Sequence, residues 1–374
     1  MLKVLLAGGG TAGHINPALA IASIIKEHNP DAEFLFAGTP NGMESNLVPK
    51  AGYDFAPIKV SGFQRKITPK NIARNVRALA YLTTAGHRAR QIINEFKPDL
   101  VIGTGGYVSG PVVMQAAKMK IPTAIHEQNA FPGMTNKLLA KHVDHVMLTV
   151  EDALQYLDKG IKYTVTGLPV RTGFIGKSKS EAKAELGLDS NLCILSWGGS
   201  LGAGKINETA ADLIEWHTKN NLEINHIHSF GRMGKDTFEL SLTDKGIDYK
   251  NNPRLIVREY IDNMDTCTAA ADLIICRAGA SAISELEALG RASILVPSPF
   301  VAGNHQYYNA MVLGKSGAAI VIEQKDLTSE MLIQKVEQLY KNPAKLNCIA
   351  KKAGEMYVKD TPDRIYSVIE SLIK

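Results

Sequence analysis

No run of the 374-residue chain approaches the ~20 consecutive apolar residues that a helix needs to cross a bilayer. The opening MLKVLLAGGG reaches glycine too soon for the apolar segment of a secretory signal. Both absences predict a cytoplasmic protein. Cysteine is scarce: Cys193, Cys267, Cys276 and Cys348 stand far apart with no Cys-x-x-Cys pair, which predicts free thiols and excludes a disulfide framework or a zinc site. Aromatic residues make up only 6% of the chain and do not interleave with the basic ones, which speaks against nucleic acid as a partner. Acidic residues are missing altogether between Phe55 and Asn94, where Lys59, Arg65, Lys66, Lys70, Arg74, Arg77, Arg88 and Arg90 occur. The net charge of +5 lies entirely within the first 160 residues. That stretch calls for an anionic neighbour.

What is present points to an α/β protein. Short apolar, β-branched runs (KVLLA, EFLFA, LVIG, TAIHE and HVMLT, then CILSW, INHIHSF, LIVRE, LIIC, ASILVP and AAIVI) alternate with segments of helical period. Strands separated by helices imply parallel sheets, and continuous apolar character implies strands buried on both faces. The length suits two domains. Each half opens alike, with a strand, a glycine turn and a helix: KVLLAGGGTAGHINPALAIA, and CILSWGGSLGAGKINETAADLI from Cys193. Two Rossmann-like domains are predicted, residues 1–166 and 167–374, with the last helix able to pack back on the first. Ligand is expected in the cleft between them, at the carboxyl ends of both sheets.

Gly8, Gly10 and Gly13 satisfy the dinucleotide-binding spacing, but the second strand, EFLFAGTPNG, ends without the acid that would hold a ribose. Gly199, Gly204 and Lys205 fit a P-loop, but Ile206 stands where Ser or Thr would hold magnesium. A dehydrogenase and a nucleoside triphosphatase are thereby disfavoured. What remains is shared physics: small residues let backbone amides approach a bound group, and a helix start favours negative charge. Two further turns, GTGGYVSGP and CRAGASAISE, repeat the pattern. In the last, Gly279 to Ser281 should open a helix onto a diphosphate while Glu285, one turn on, accepts from vicinal hydroxyls.

Taken in order, GGGTAGHINP, GTGGYVSGP, HEQNAFPG, GLPVRTG, GGSLGA, REYIDNM, CRAGASAISE and NHQYYNA resemble the motif series of the MurG family over nearly the whole chain. Members of that family are UDP-N-acetylglucosamine:undecaprenyl-diphospho-muramoylpentapeptide transferases, which convert lipid I to lipid II in peptidoglycan synthesis. The resemblance implies the GT-B fold and an inverting glycosyltransferase that uses neither metal nor cofactor. It assigns Thr11, Ala12, Gly13 and His14 to the loop nearest donor and acceptor, and Asn129 to the donor. It assigns Arg171 and Ser200 to the nucleotide and diphosphate, and the Ile261 backbone to uracil, with Tyr260 as a cap. Ala280, Ser281, Ala282, Ile283 and Ser284 match the phosphate-facing helix start, Glu285 the ribose ligand and Gln306 a sugar-hydroxyl ligand. The chain departs from many relatives in reading TAGH for TGGH, and His305 precedes Gln306 where some carry a second Gln.

No Asp-x-Asp pair occurs to hold a divalent cation, so the amides of 280–284, Ser200 and Arg171 are expected to stabilise the departing diphosphate. The acceptor hydroxyl needs a base. His14 leads and Glu127 is the alternative, although His14 could instead hold backbone or an acceptor phosphate. Residues 70–82 read as a helix with Ile72, Val76 and Leu79 at helical spacing beside Arg74 and Arg77. With Arg65, Lys66 and Lys70 they form a face suited to an anionic membrane surface, unless the apolar stripe is core. The expected partners are UDP-N-acetylglucosamine, lipid I and that membrane, with the protein peripheral on its cytoplasmic face. Two rivals remain: another GT-B transferase with a different acceptor, and a noncatalytic sugar-nucleotide-binding subunit, against which the intact His14 and N-terminal turns argue.

Overall fold

The computed structural model describes residues 1–60, 68, 84–170 and 176–374. Arg65, Lys66, Lys70, Ile72, Arg74, Val76, Arg77, Leu79 and Arg171 lie outside the described residues. The chain divides into two compact units, one of Met1–Pro169 with Val358–Lys374, the other of Val170–Tyr357.

The first unit is built on seven parallel strands: β1 (Lys3–Gly8), β2 (Glu33–Gly38), β3 (Asp54–Pro57), β4 (Leu100–Gly105), β5 (Thr123–Glu127), β6 (His145–Leu148) and β7 (Tyr163–Val165). Their order in the sheet is β3-β2-β1-β4-β5-β6-β7. Strand alternation sends successive side chains to opposite faces. Leu5, Ala7 and Val101 enter one hydrophobic layer, whereas Val4, Leu6, Leu100 and Ile102 enter the other. Both faces are therefore core, which is why these strands read as unbroken apolar runs. The helical residues 84–96 turn Ala85, Ala89, Ile92 and Ile93 to the first layer and leave Arg90 exposed. The carboxyl-terminal helix Thr361–Ile373 supplies Ile365, Val368 and Ile369 to the second layer. It is fastened there by the Tyr366 ring stacked on His28 at 3.8 Å and by the Asn29 amide donating to the Tyr366 hydroxyl at 2.9 Å.

The second unit has six parallel strands: β8 (Leu192–Trp197), β9 (Ile224–Ser229), β10 (Leu255–Arg258), β11 (Leu273–Cys276), β12 (Ala292–Leu295) and β13 (Ile320–Val321), in the order β10-β9-β8-β11-β12-β13. Again both faces are covered, Cys193, Leu195, Ile274 and Cys276 on one side and Ile194, Leu273 and Ile275 on the other. The α/β class with two parallel sheets matches the sequence reading. One strand escaped it: β3, DFAP, pairs with β2 at the sheet edge and buries only Ala56, so it lacks the apolar run that marks the others. In each unit the strand order reverses between two adjacent strands, β1 and β4 in the first, β8 and β11 in the second. A doubly wound sheet opens a crevice at such a point, beyond the carboxyl ends of the strands.

Candidate functional site

In the first unit the loops that leave β1 and β4 meet at the reversal. Gly106, with φ +79°, lies so close to the Gly9 carbonyl that no side chain fits between them. Beneath the first loop lies an acid that the sequence reading missed. Glu44 is buried, and its carboxylate accepts from the Gly10 amide at 3.1 Å, the Thr39 amide at 2.8 Å and the Thr39 hydroxyl at 2.6 Å. Burial opposes its charge, but the bonds from Thr39 and Gly10 outweigh burial and hold its pKa below the usual carboxylate range. The Gly10 amide is thus already engaged, and an anion sits where a phosphate-binding turn would want none.

The helix Ala12–His28 then begins at Thr11, which offers its amides no side-chain cap. Thr11 and Gly13 are exposed, Ala12 half-buried, and the first intrahelical bonds run from the His14 and Ile15 amides to the Thr11 carbonyl. His14 is half-buried, with Nδ1 3.1 Å from Oε1 of Gln128 and its carbonyl held by the Thr104 hydroxyl at 2.7 Å. No described residue hydrogen-bonds Nε2 of His14. Glycine at position 105 gives the ring its space, since φ there is +108° and a Cβ would come within 2.7 Å of Nδ1.

Glu127, the alternative base, is differently placed. Both of its oxygens are occupied: Oε1 accepts from the Asn129 amide at 2.9 Å and the Asn129 side chain at 3.1 Å, Oε2 from the Gly133 amide at 2.9 Å and the Asn136 side chain at 2.8 Å. It is 1% exposed. A buried carboxylate with four donors braces the HEQN turn and presents no lone pair to an acceptor hydroxyl. Asn129 is half-buried beside it.

In the second unit the corresponding reversal lies between the loop after β8 and the start of the helix Ala280–Leu289. Ser200 is exposed on the first of these. The helix begins at Gly279 with no side-chain cap and no acid in its first turn. Its first backbone bond runs from the Ile283 amide to the Gly279 carbonyl at 3.0 Å. Of the segment expected to face phosphate, the amides of Ala280, Ser281 and Ala282 precede the ladder, the Ile283 amide is bonded, and Ile283 and Ser284 are buried. Glu285 is half-buried one turn further in. Ile261 packs in the core at 3% exposure, so only its backbone can meet a ligand, while Tyr260 beside it is exposed. Gln306 lies in the first turn of the helix His305–Ser316, and its Oε1 accepts from the Ser298 amide at 2.9 Å. Among the described residues no cluster of three metal-ligating side chains occurs, and no helix is long and apolar enough to cross a membrane.

Two crevices with these fittings, one presenting an imidazole and one an uncapped helix start backed by a carboxylate, suit a reaction in which a proton is removed and a diphosphate is stabilised. The glycosyltransferase family 28 N-terminal domain matches residues 4–148 and the glycosyltransferase family 28 C-terminal domain residues 193–365. The UDP-N-acetylglucosamine--N-acetylmuramyl-(pentapeptide) pyrophosphoryl-undecaprenol N-acetylglucosamine transferase of Acetivibrio thermocellus is 43% identical over 100% of this chain and 99% of its own. The protein of the same name from Thermoanaerobacter sp. (strain X514) is 44% identical over 99% and 100%. The crystal structure of Acinetobacter baumannii MurG superposes with a TM-score of 0.79 at 28% identity, covering 99% of this chain and 100% of that one. The chain belongs to glycosyltransferase family 28 and, within it, to the MurG family.

Proposed function

We propose that this protein transfers N-acetylglucosamine from UDP-N-acetylglucosamine to the muramoyl 4-hydroxyl of lipid I, with inversion, yielding lipid II. What carries the reading is the full-length match to relatives whose names give both donor and acceptor. The geometry supports a division of labour. The second unit is the donor domain: the amides of Ala280 to Ala282 and the Ser200 loop stabilise charge that grows on the leaving diphosphate, and Glu285 accepts from the ribose hydroxyls. The Ile261 backbone reads the uracil under Tyr260, and Gln306 donates to a sugar hydroxyl. The first unit is the acceptor domain. His14 Nε2 takes the hydroxyl proton as the oxygen attacks the anomeric carbon, and UDP departs from the opposite face. Thr11 to Gly13 and Asn129 border that reaction. Preorganised amides do the work that a divalent cation does in metal-dependent transferases.

The acceptor is lipid-linked, and we place the enzyme at the cytoplasmic face of the membrane as a peripheral protein. The basic stretch between Phe55 and Asn94 supports this, since each cation near an anionic surface contributes ~1 kcal/mol. The test combines purified protein, UDP-N-acetylglucosamine and a lipid I analogue, and scores UDP release together with the configuration of the new bond. Acceptor-dependent release with an inverted anomer is expected. Release to water alone, or a retained anomer, overturns the assignment.

A further inference from the structure

We propose that Gln128 is a positioning residue that fixes the tautomer of His14 and leaves its Nε2 lone pair free to take a proton. The proposal deepens the reading of His14 as the base and rests on it.

The argument begins at the far end of a hydrogen-bonded chain. His126 Nε2 lies 3.0 Å from the carbonyl of Gly167, which can only accept, so His126 carries its proton on Nε2. Burial pushes the His126 pKa down, against the opposing pull of the Gly167 carbonyl and Glu127, and the ring is neutral. Its Nδ1 is then an acceptor. Gln128 must therefore turn its amide nitrogen to that side, where it stands 3.2 Å from His126 Nδ1 and 2.7 Å from the His126 carbonyl. The amide oxygen is left facing His14 Nδ1 at 3.1 Å and can only accept, so His14 Nδ1 donates. In a neutral imidazole the remaining nitrogen, Nε2, then bears the lone pair. Every orientation follows from the Gly167 carbonyl without a free choice.

Two features hold the arrangement in place. Gln128 and His126 are 2% and 0% exposed, so no solvent competes for their polar atoms. Glycine at position 105 leaves room for the Nδ1 edge of the His14 ring, since a Cβ there would come within 2.7 Å of Nδ1. Among the described residues, the Glu44 carboxylate is spent on Gly10 and Thr39 and the Glu127 carboxylate on its own turn. Neither replaces Gln128 as the partner of Nδ1. The choice of an amide over a carboxylate has a reason of its own. Glutamate here would also accept from Nδ1, but its charge would favour the imidazolium and fill the lone pair near neutral pH.

The test uses the full-length protein labelled with 15N in histidine. Nitrogen–proton correlation spectra of the neutral form should show His14 protonated on Nδ1 and bare on Nε2. In Gln128→Met, of similar length and with no acceptor, the proton should redistribute to Nε2, and kcat should fall ~100-fold or more while the KM for UDP-N-acetylglucosamine stays within about twofold. In Gln128→Glu the acid limb of kcat/KM should move upward by about one pH unit or more. A wild-type His14 protonated on Nε2, a Gln128→Met variant that keeps the Nδ1 proton, or an unmoved acid limb in Gln128→Glu overturns the proposal. The spectra need no substrate. If they match while lipid I is not turned over, the transferase reading fails and the tautomer assignment stands.

Discussion

The helices Ala12–His28 and Ala280–Leu289 both start with no side-chain cap and no acid in the first turn, but in the first unit the glycine turn just before the helix gives its Gly10 amide to the Glu44 carboxylate. The two stretches share one grammar of strand, glycine turn and helix. Their chemistry is opposite, because an ionised carboxylate under a helix start cancels the attraction that the helix would exert on an anion. On the proposed reading the turn in the first unit is a platform for His14, and that of the second is a receptor for negative charge. Glycine spacing marks where backbone can approach something closely, and the neighbouring carboxylate decides whether that something is a ligand or the protein itself.

This contrast breaks first at the platform. His14→Ala should lower kcat by ~100- to 10,000-fold, the range for loss of a general base, and leave the KM for UDP-N-acetylglucosamine nearly unchanged. Steady-state kinetics at saturating lipid I analogue decide it. A large rise in donor KM would place His14 on the donor and erase the distinction. At the receptor the expected pattern is the reverse. On the proposed assignment Glu285→Ala removes charged hydrogen bonds to the ribose, each contributing ~1.5–3 kcal/mol, so donor binding should weaken at least 10-fold. UDP affinity measured by calorimetry gives the number, and unchanged affinity would remove Glu285 from the site.

Glu44→Gln sharpens the comparison without touching catalysis directly. Loss of the charge that three donors share should destabilise the first unit by ~1–3 kcal/mol and leave UDP affinity alone. Both tryptophans, Trp197 and Trp216, lie in the second unit, so their fluorescence follows that unit only. The variant should lower the backbone transition seen by circular dichroism while the tryptophan transition stays put. A shift in the tryptophan signal alone would contradict the assignment of Glu44 to the first unit's turn.

Much of this was legible in the sequence. The apolar runs located the sheet interiors, and the glycine turns located both reversals, because each follows from strong local chemistry. What escaped depends on partners distant along the chain. Glu44 stands six residues past the end of β2, inside a turn-rich segment, and nothing local says that it folds back under Gly10. His126 and Gln128 did carry a signal: two residues apart at the end of a buried strand, they face the same side and need polar partners there. Ile283 and Ser284 were assigned to the phosphate by position in a motif, and the structure adds that the Ile283 amide is already bonded to the Gly279 carbonyl. β3 was hidden because an edge strand with one buried residue has no hydrophobic pattern to read.

The smallest expected effect concerns acid, and it too separates the units. In the second unit Ser196 joins His226 and His228 at 2.8 and 2.7 Å, and His217 reaches His226 at 3.2 Å. Burial depresses all three pKa values, His217 to about 4, His228 to about 3 and His226 well below normal. Unfolded, each takes up a proton near pH ~6.5, so the unfolded state binds more protons and stability falls as pH drops below that value. The loss is roughly 0.7 kcal/mol per histidine between pH 7 and 6. Glu287 opposes it. Burial raises its pKa to about 8, so the folded unit binds a proton that the unfolded chain lacks between pH ~4.5 and 8, and stability rises as pH falls through that window. Between pH 7 and 6 the glutamate returns about 1.3 kcal/mol of the roughly 2 kcal/mol that the three histidines lose, which predicts a shallow net loss of about 0.7 kcal/mol in the tryptophan-reported transition. Glu287→Gln should remove the opposing slope, raise stability at pH 7 and expose the acid sensitivity of the histidines. Urea titrations at the two pH values measure both slopes, and a variant whose slope is no steeper than that of the wild type would refute the opposing linkage.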